Sequence, residues 1–394
     1  MSAAAALIRL LLLVLPLAVA MASPARAQPA KALAPIPAST LALMAAKGTT
    51  ASAPLLLRAY KKEAEIEVWK RSSSGRFVHV KTYPICRWSG QLGPKRKTGD
   101  RQTPEGFYTV AKSQMNPNSA YYLSFDIGYP NAFDRAHGFT GSAVMVHGVC
   151  SSMGCFAMTD AVAGELFSIA REALAGGQAA FQFQSFPFRM SAANLARHRT
   201  DPDYPFWRQL KEGSDRFEAS GEEPVIGVAS GRYVFAPSKD PRRELEVMAR
   251  RAEEDARIAN LVAEGSAAVR TTYSDGGQHP FWAAVAAKGG SLGIVSRPEA
   301  LAYAGQEVVV IPARRPPVQV AEAVWSRWMT RGSAYPLWRV PAFLPAYELP
   351  AAHFSPLLVH YAETLPRMVE ATLAGRVPPP GMVAMKAIDV LAQR

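Results

Sequence analysis

The chain has 394 residues, 49% hydrophobic and 19% charged, so it can bury a sizeable core. Its 44 Lys and Arg outnumber 32 Asp and Glu, and the net charge of +12 predicts attraction to anionic surfaces. No zinc-finger, RNP or helix-turn-helix pattern accompanies that charge, and nucleic acid is not expected as a partner.

The first 28 residues, MSAAAALIRLLLLVLPLAVAMASPARAQ, place Arg9 ahead of an apolar run from Leu10 to Ala22 that Pro16 interrupts. The run is too short for a comfortable membrane span, and Ala-Arg-Ala before Gln28 fits a small-residue cleavage site. Residues 1–27 are therefore expected to be a signal peptide cleaved near Ala27, with the mature protein exported. No other segment reaches 18 consecutive apolar residues, so no stable membrane span is expected after cleavage.

Residues 28–52, rich in Ala and Pro, read as a linker with room for one short helix. From residue 53 the texture changes. Alternation around Ile66 and Val68, a Ser/Gly turn, and renewed alternation in RFVHVKTYPIC predict a β-hairpin. GQLGPKRKTGD reads as a surface loop. TPEGFYTVAKS, YYLSFDIGYP and SAVMVHG read as further short strands. The period then turns helical: Val162, Leu166, Phe167, Ala170 and Leu174 share one face, with Thr159 or Asp160 as N-cap and Gly176-Gly177 as the stop. AAFQFQSFPF alternates again as a strand. DYPFWRQLKEGSDRFEAS predicts a helix and PVIGVASGRYVFAPS a hairpin. In residues 241–264, Leu245, Met248, Ala249, Ala252, Ala256 and Ala259 form a stripe expected to face the core. Residues 265–394 mix Pro-rich turns with short apolar segments and carry no legible chemistry.

The chemistry concentrates in MVHGVCSSMGCFAMTD, Met145 to Asp160, which holds His147 and two of the chain's three cysteines. Three readings compete. A thiolate activated by a nearby imidazole, with backbone amides collecting the oxyanion, would make Cys155 a nucleophile. Gly154 would let a substrate carbonyl approach, and the nearby helix start could lower the thiol pKa. A zinc site of His147, Cys150, Cys155 and Cys86 is chemically permissible, but its spacing matches no usual knuckle. A disulfide between Cys86 and Cys150 would leave Cys155 free, so it complements the first reading. Ser151 and Ser152 lack a G-x-S-x-G elbow.

These residues resemble the YkuD-type L,D-transpeptidase catalytic domain, whose signature is His-Gly followed by S-x-G-C and an apolar residue. Here those are His147-Gly148 and Ser152-Met153-Gly154-Cys155-Phe156, with Thr103 to Tyr108 (TPEGFY) as the matching strand entry. WSGQLGPK, GYPNAFDR, FPFRM and the Phe-Trp…Leu-Lys…Phe helix are similar to its YafK-like branch, so the resemblance spans about residues 53–235. It implies a periplasmic enzyme of peptidoglycan with Cys155 as nucleophile and His147 as general base. The amides of Met153, Gly154 and Cys155 become oxyanion donors, a backbone carbonyl near Gly148 orients the imidazole, and neither a metal nor an organic cofactor is needed. Many members carry a basic residue at the position of Met153 and an Arg at that of Ala157, so the usual substrate contacts differ here. The YafK-like branch itself favours Gly-Cys-aromatic-Ala-Met, as here, and is associated with detaching lipoprotein from peptidoglycan instead of making cross-links, so the resemblance implies hydrolysis.

The expected fold is mainly β or α+β. A β-rich catalytic domain at 53–190 with a packed helix is followed by a mixed extension at 191–240 and a partly helical region at 241–394 of unassigned function. The expected reaction is Cys acyl transfer on L,D amide bonds of peptidoglycan stem peptides. Hydrolytic release of wall-anchored lipoprotein or of a stem residue ranks first, cross-linking or attachment second, and a non-catalytic wall-binding scaffold third. Lys95, Arg96 and Lys97 are candidates for the stem-peptide carboxylates, and Tyr129 and Arg135 for shaping the cleft.

Overall fold

The structure, a computed structural model, describes residues 29–313. The expected signal segment at 1–27, and everything after 313, lie outside the described residues.

Residues 29–52, expected as a linker with room for one short helix, pack onto the domain. A 3-10 turn at Ala30–Leu33 and helix α1 (Ala38–Ala46) bury Ala32, Ile36 and Met44. Ala32 packs with Leu123 and Phe167, and Lys31 lies 5.1 Å from the Tyr122 ring centroid. A few apolar side chains spaced along the Ala/Pro-rich sequence suffice to hold it to the domain.

Strands β1 (Leu55–Tyr60), β2 (Glu65–Arg71) and β3 (Phe77–Pro84) form an antiparallel meander. β4 (Gly106–Ala111) follows the 90–105 segment. Then come β5 (Met115–Asn116), β6 (Ser124–Asp126), the short helix α2 (Ala132–Ala136), β7 (Met145–His147) and β8 (Phe156–Ala157). Helix α3 (Asp160–Ala175) leads into β9 (Ala180–Phe186), which inserts between β1 and β4 to give the order β3-β2-β1-β9-β4. Strands β5 to β8 make a second sheet, with β7 and β8 parallel. Leu57, Ile66 and Val68 of the first sheet meet Phe125, Val146 and Phe156 of the second, and Leu166 and Ile169 of α3, in one core. The architecture is α+β.

β1 is buried along its whole length because its other face is covered as well. After α4 (Ala192–Arg197), helix α5 (Tyr204–Ser220) brings Phe217 against Leu56 and Phe77, while Trp207 joins Tyr60, Phe107 and Phe186. Arg58 lies under this helix, 4.8 Å from the Phe217 ring centroid and bonded to Ser214. β10 (Ile226–Ala229) and β11 (Arg232–Phe235) make the expected hairpin.

Helix α6 (Pro241–Ala263) corrects the expected core stripe. Leu245 and Met248 are 66% and 59% exposed, and only Val247 and Ile258 are buried. The helix instead docks on α5 through charge: Lys211 bonds Glu254 (2.7 Å), Arg216 pairs with Glu244 (3.0 Å) and Arg250 with Glu218 (2.6 Å). A stripe made mostly of Ala offers little area for burial, whereas the charged face finds opposite charges on α5.

β12 (Ala268–Thr272) pairs with β13 (Gln306–Ile311), and α7 (Pro280–Ala287) lies between them in sequence. His198 is fully buried, its Nδ1 bonded to the Asn194 carbonyl and its Nε2 to Thr271 Oγ1 of β12. Burial pushes its pKa from 6.5 down to about 4. A depressed histidine favours the native state above the unfolded pKa and loses that contribution as pH falls through the folded one. Stability should therefore drop between about pH 6.5 and 4, by roughly 3 kcal/mol from this group alone. Urea unfolding at several pH values would show it, and His198→Gln should flatten the slope. An equal slope in both proteins would exclude His198 as the source.

Candidate active site

The loop that carries Cys155 runs from the end of β7 to the start of β8. In their parallel register His147 lies beside Ala157, and continuing back puts Cys155 beside Met145. Paired residues of neighbouring strands share a face, so His147 and Cys155 point to the same side. Val146 and Phe156 point the other way, into the core. Cys155 Sγ contacts the Met145 amide at 3.5 Å and the Ala143 carbonyl at 3.9 Å. Among the described residues no hydrogen bond joins it to His147.

His147 is buried and lies 4.9 Å, ring to ring, from the exposed Tyr121. Its Nδ1 bonds the Gly148 carbonyl. A carbonyl can only accept, so Nδ1 carries the proton and Nε2 presents a lone pair. Burial lowers the His147 pKa, against the pull of that carbonyl. Burial likewise raises the Cys155 pKa, partly offset by the Met145 amide. Burial thus favours the neutral form of both groups.

The loop is held from four sides. Cys86 and Cys150 are joined by a disulfide across 64 residues, leaving Cys155 as the free cysteine. Two ligands that a zinc site would need are consumed by this bond. Asp160 Oδ1 accepts from the Val149 amide at 2.9 Å, so this residue secures the loop while Thr159 takes the N-cap position of α3. A Cβ at Gly148 would lie 2.6 Å from the same oxygen, which makes this position glycine-only by space. Ser152 Oγ accepts from the amides of Gly154 (3.2 Å) and Cys155 (3.1 Å) and donates to the Cys155 carbonyl (2.8 Å). Ser296 closes the fourth side, accepting from the Ser152 amide at 2.9 Å and donating to its carbonyl at 3.2 Å.

Some expectations change here. The Gly154 and Cys155 amides are engaged by Ser152 Oγ, and among the described residues only the Met153 amide of the three has no acceptor. Lys95 is buried and paired with Asp100, and Arg96 pairs with Asp203, so neither offers a free charge; Lys97 remains exposed. Tyr129 spends its hydroxyl on the Lys95 carbonyl at 3.1 Å, and Arg135 bonds the Pro130 carbonyl. The segment 90–100 is no loose surface loop, because buried Lys61 and Glu105 hold its Gly93. Sequence reasoning missed the bracing roles of Ser152, Asp160 and Ser296. The S-x-G-C spacing was the available signal for Ser152; Ser296 had none.

Thiol chemistry tests this arrangement. In the non-reduced protein one thiol should label, and peptide mapping should recover Cys86 linked to Cys150. The labelling rate should climb about tenfold per pH unit from 7 to 9, since burial raises the thiol pKa. A rate already level at pH 7 would show a thiolate, and two further labelled cysteines would remove the disulfide.

Residues 53–175 match the profile of the YkuD L,D-transpeptidase catalytic domain. The chain belongs to this family. It is 42% identical over 183 residues to "Putative L,D-transpeptidase YafK" of Escherichia coli K12, covering 46% of this chain and 74% of the relative. The protein of that name from Escherichia coli O157:H7 matches to the same extent. Among solved structures, Pgp2, the helical cell shape determining protein of Campylobacter jejuni, overlays with a TM-score of 0.28 at 13% identity, over 59% of this chain and 80% of that one. Bd1075 of Bdellovibrio bacteriovorus gives 0.24 at 14%, over 56% and 75%. Those scores are too low to bear on the fold.

Proposed function

We propose that the protein is a periplasmic cysteine enzyme that opens L,D amide bonds in peptidoglycan stem peptides through a Cys155 acyl-enzyme, with water as the usual acceptor. The observation that carries the reading is the free thiol of Cys155 on the same strand face as a histidine whose Nε2 lone pair is available.

The steps follow from these groups. The Cys155 proton passes to His147 Nε2 as Sγ bonds to the carbonyl carbon of the L-centre. The oxyanion meets the Met153 amide, which of the three loop amides has no acceptor among the described residues. Collapse breaks the C–N bond, and the imidazolium returns its proton to the departing amine. Water then loses a proton to His147 and attacks the thioester, releasing a carboxylate and the thiol. An amine entering instead of water would make the same thioester a cross-link or an attachment. The Gly154-Cys155-Phe156-Ala157-Met158 sequence supports water and a wall-attached lipoprotein as donor. The net charge of +12 suits an anionic wall.

Sacculi still carrying bound lipoprotein provide the test. Digestion followed by mass spectrometry should show released lipoprotein or shortened stems. New cross-linked species would instead identify a transpeptidase, and unchanged sacculi would favour a wall-binding scaffold.

A further inference from the structure

Beside the nucleophile loop three guanidinium groups converge on one carboxylate. Asp275 Oδ2 lies 2.6 Å from Arg101 Nη2, 3.4 Å from Arg297 Nη1 and 3.6 Å from Arg87 Nη2. Asp275 Oδ1 accepts from the Gly90 amide at 3.2 Å. Glu299 reaches only the Nε edge of Arg297, at 3.4 Å, so two carboxylates face three guanidinium groups and one positive charge is in excess. Arg87 is fully buried, and none of its three side-chain nitrogens makes a hydrogen bond among the described residues. Its charge therefore draws Asp275 inward and leaves the outer two cations less than neutralised. Those outer two are open: the side chains of Arg101 and Arg297 are 33% and 48% exposed.

Their placement is tied to the reacting residue. The Gln102 carbonyl, one residue after Arg101, lies 3.4 Å from where a Gly154 Cβ would be. Ser296, one residue before Arg297, holds both backbone groups of Ser152. Both arginines adopt left-handed backbone, φ 57° and 48°, a conformation that costs about 1 kcal/mol or more for a residue with a side chain. Asp275 itself is pinned by Gly276, φ 73°, whose backbone packs so closely on Trp88 that a Cβ would lie 2.0 Å from the Trp88 carbonyl. Exposed cations held in strained backbone beside a nucleophile are an expensive way to decorate a surface.

We propose that Arg101 and Arg297 form a carboxylate-binding subsite that recognises the free carboxylate of the peptide substrate and places its scissile bond at Cys155. The proposal rests on the peptide-cleaving reading above. It also gives the segment 273–299, which lies outside the matched catalytic-domain residues 53–175, a direct part in the site. A guanidinium pair suits a carboxylate because its parallel N–H groups match the two oxygens.

The test is a cycle between enzyme and substrate. Wild type, Arg101→Gln, Arg297→Gln and the double variant are assayed on stem tetrapeptide with free carboxylates and on the same peptide amidated at every carboxyl. Calorimetric binding of both peptides to Cys155→Ala protein, with and without the two arginine changes, runs alongside. Wild type should show a KM at least tenfold lower for the free acid. Each single variant should lose most of that preference with kcat within about threefold, and the double variant should lose all of it. Arg297→Lys, which keeps the charge, should recover part of the preference and so separates recognition from misfolding. An equal acid-to-amide preference in wild type and double variant overturns the subsite while leaving the enzyme reading intact. Failure of wild type to turn over or bind either peptide overturns both.

Discussion

Cys155→Ala should abolish turnover of sacculi and stem peptides, lowering kcat by at least about a thousandfold, while the protein stays folded. The side chain makes only two long sulfur contacts, to Met145 and Ala143, so its loss removes no structural bond of consequence. His147→Gln should cost roughly 10² to 10⁴ in kcat, because the thiol then has no base. The pH profiles distinguish the two roles. With His147 present, activity should rise through an imidazole pKa held below its usual 6.5 by burial and then level off. With Gln, the residual rate should keep rising through pH 9, following the thiolate whose pKa burial has raised. Activity retained by Cys155→Ala would end the acyl-enzyme reading, and parallel pH profiles would remove His147 as the base.

Lys61→Met and Glu105→Gln should each destabilise the protein by about 3–5 kcal/mol. The pair is completely buried at 2.9 Å. Lys61 Nζ also donates to the carbonyls of Gly93 (3.1 Å) and Thr103 (2.9 Å). Glu105 accepts from the Gly93 amide (2.7 Å) and from Trp207 Nε1 (2.8 Å). Burial pushes the Lys61 pKa down and the Glu105 pKa up, so either charge left alone would be costly. With both partners present, every polar group has a mate. The double replacement should therefore cost less than the sum of the singles, and a urea-unfolding cycle measures the coupling. Single changes within 1 kcal/mol of wild type would show that the pair does not hold segment 90–105. This ion pair is also why TPEGFY reads so clearly: its Glu ties β1, the 90–100 segment and α5 together.

The amphipathic face of α3 and the alternation of β2 were legible because their apolar side chains meet the core directly, at a period that sequence displays. The His147-Gly148 and Ser152-to-Phe156 motifs were legible because the residues of the family signature are consecutive. The stripe of α6 was misread for a related reason. Periodicity identifies an apolar face but not what lies opposite it, and α5 offers charge where the reading expected core. The ion-pair partners of Lys95 and Arg96 were not legible either, since Asp100 and Asp203 are brought to them by the fold of the 90–100 segment. Residues 28–52 were underrated because three buried side chains among many small ones leave no pattern.

By itself, then, the amino-acid sequence determined the α+β class, the family and the motif that makes Cys155 and His147 the candidate pair, all of which depend on contacts close along the chain or on residue identity alone. The tertiary structure decided what surrounds them. It bonded Cys86 to Cys150 across 64 residues, brought Ser296 to Ser152 across 144, and gathered Arg87, Arg101 and Arg297 on Asp275. The contacts of Ser296 and Asp275 are set by how the 273–299 segment lies against the loop that carries Cys155. That packing is a property of the folded surface as a whole, and no local run of residues encodes it.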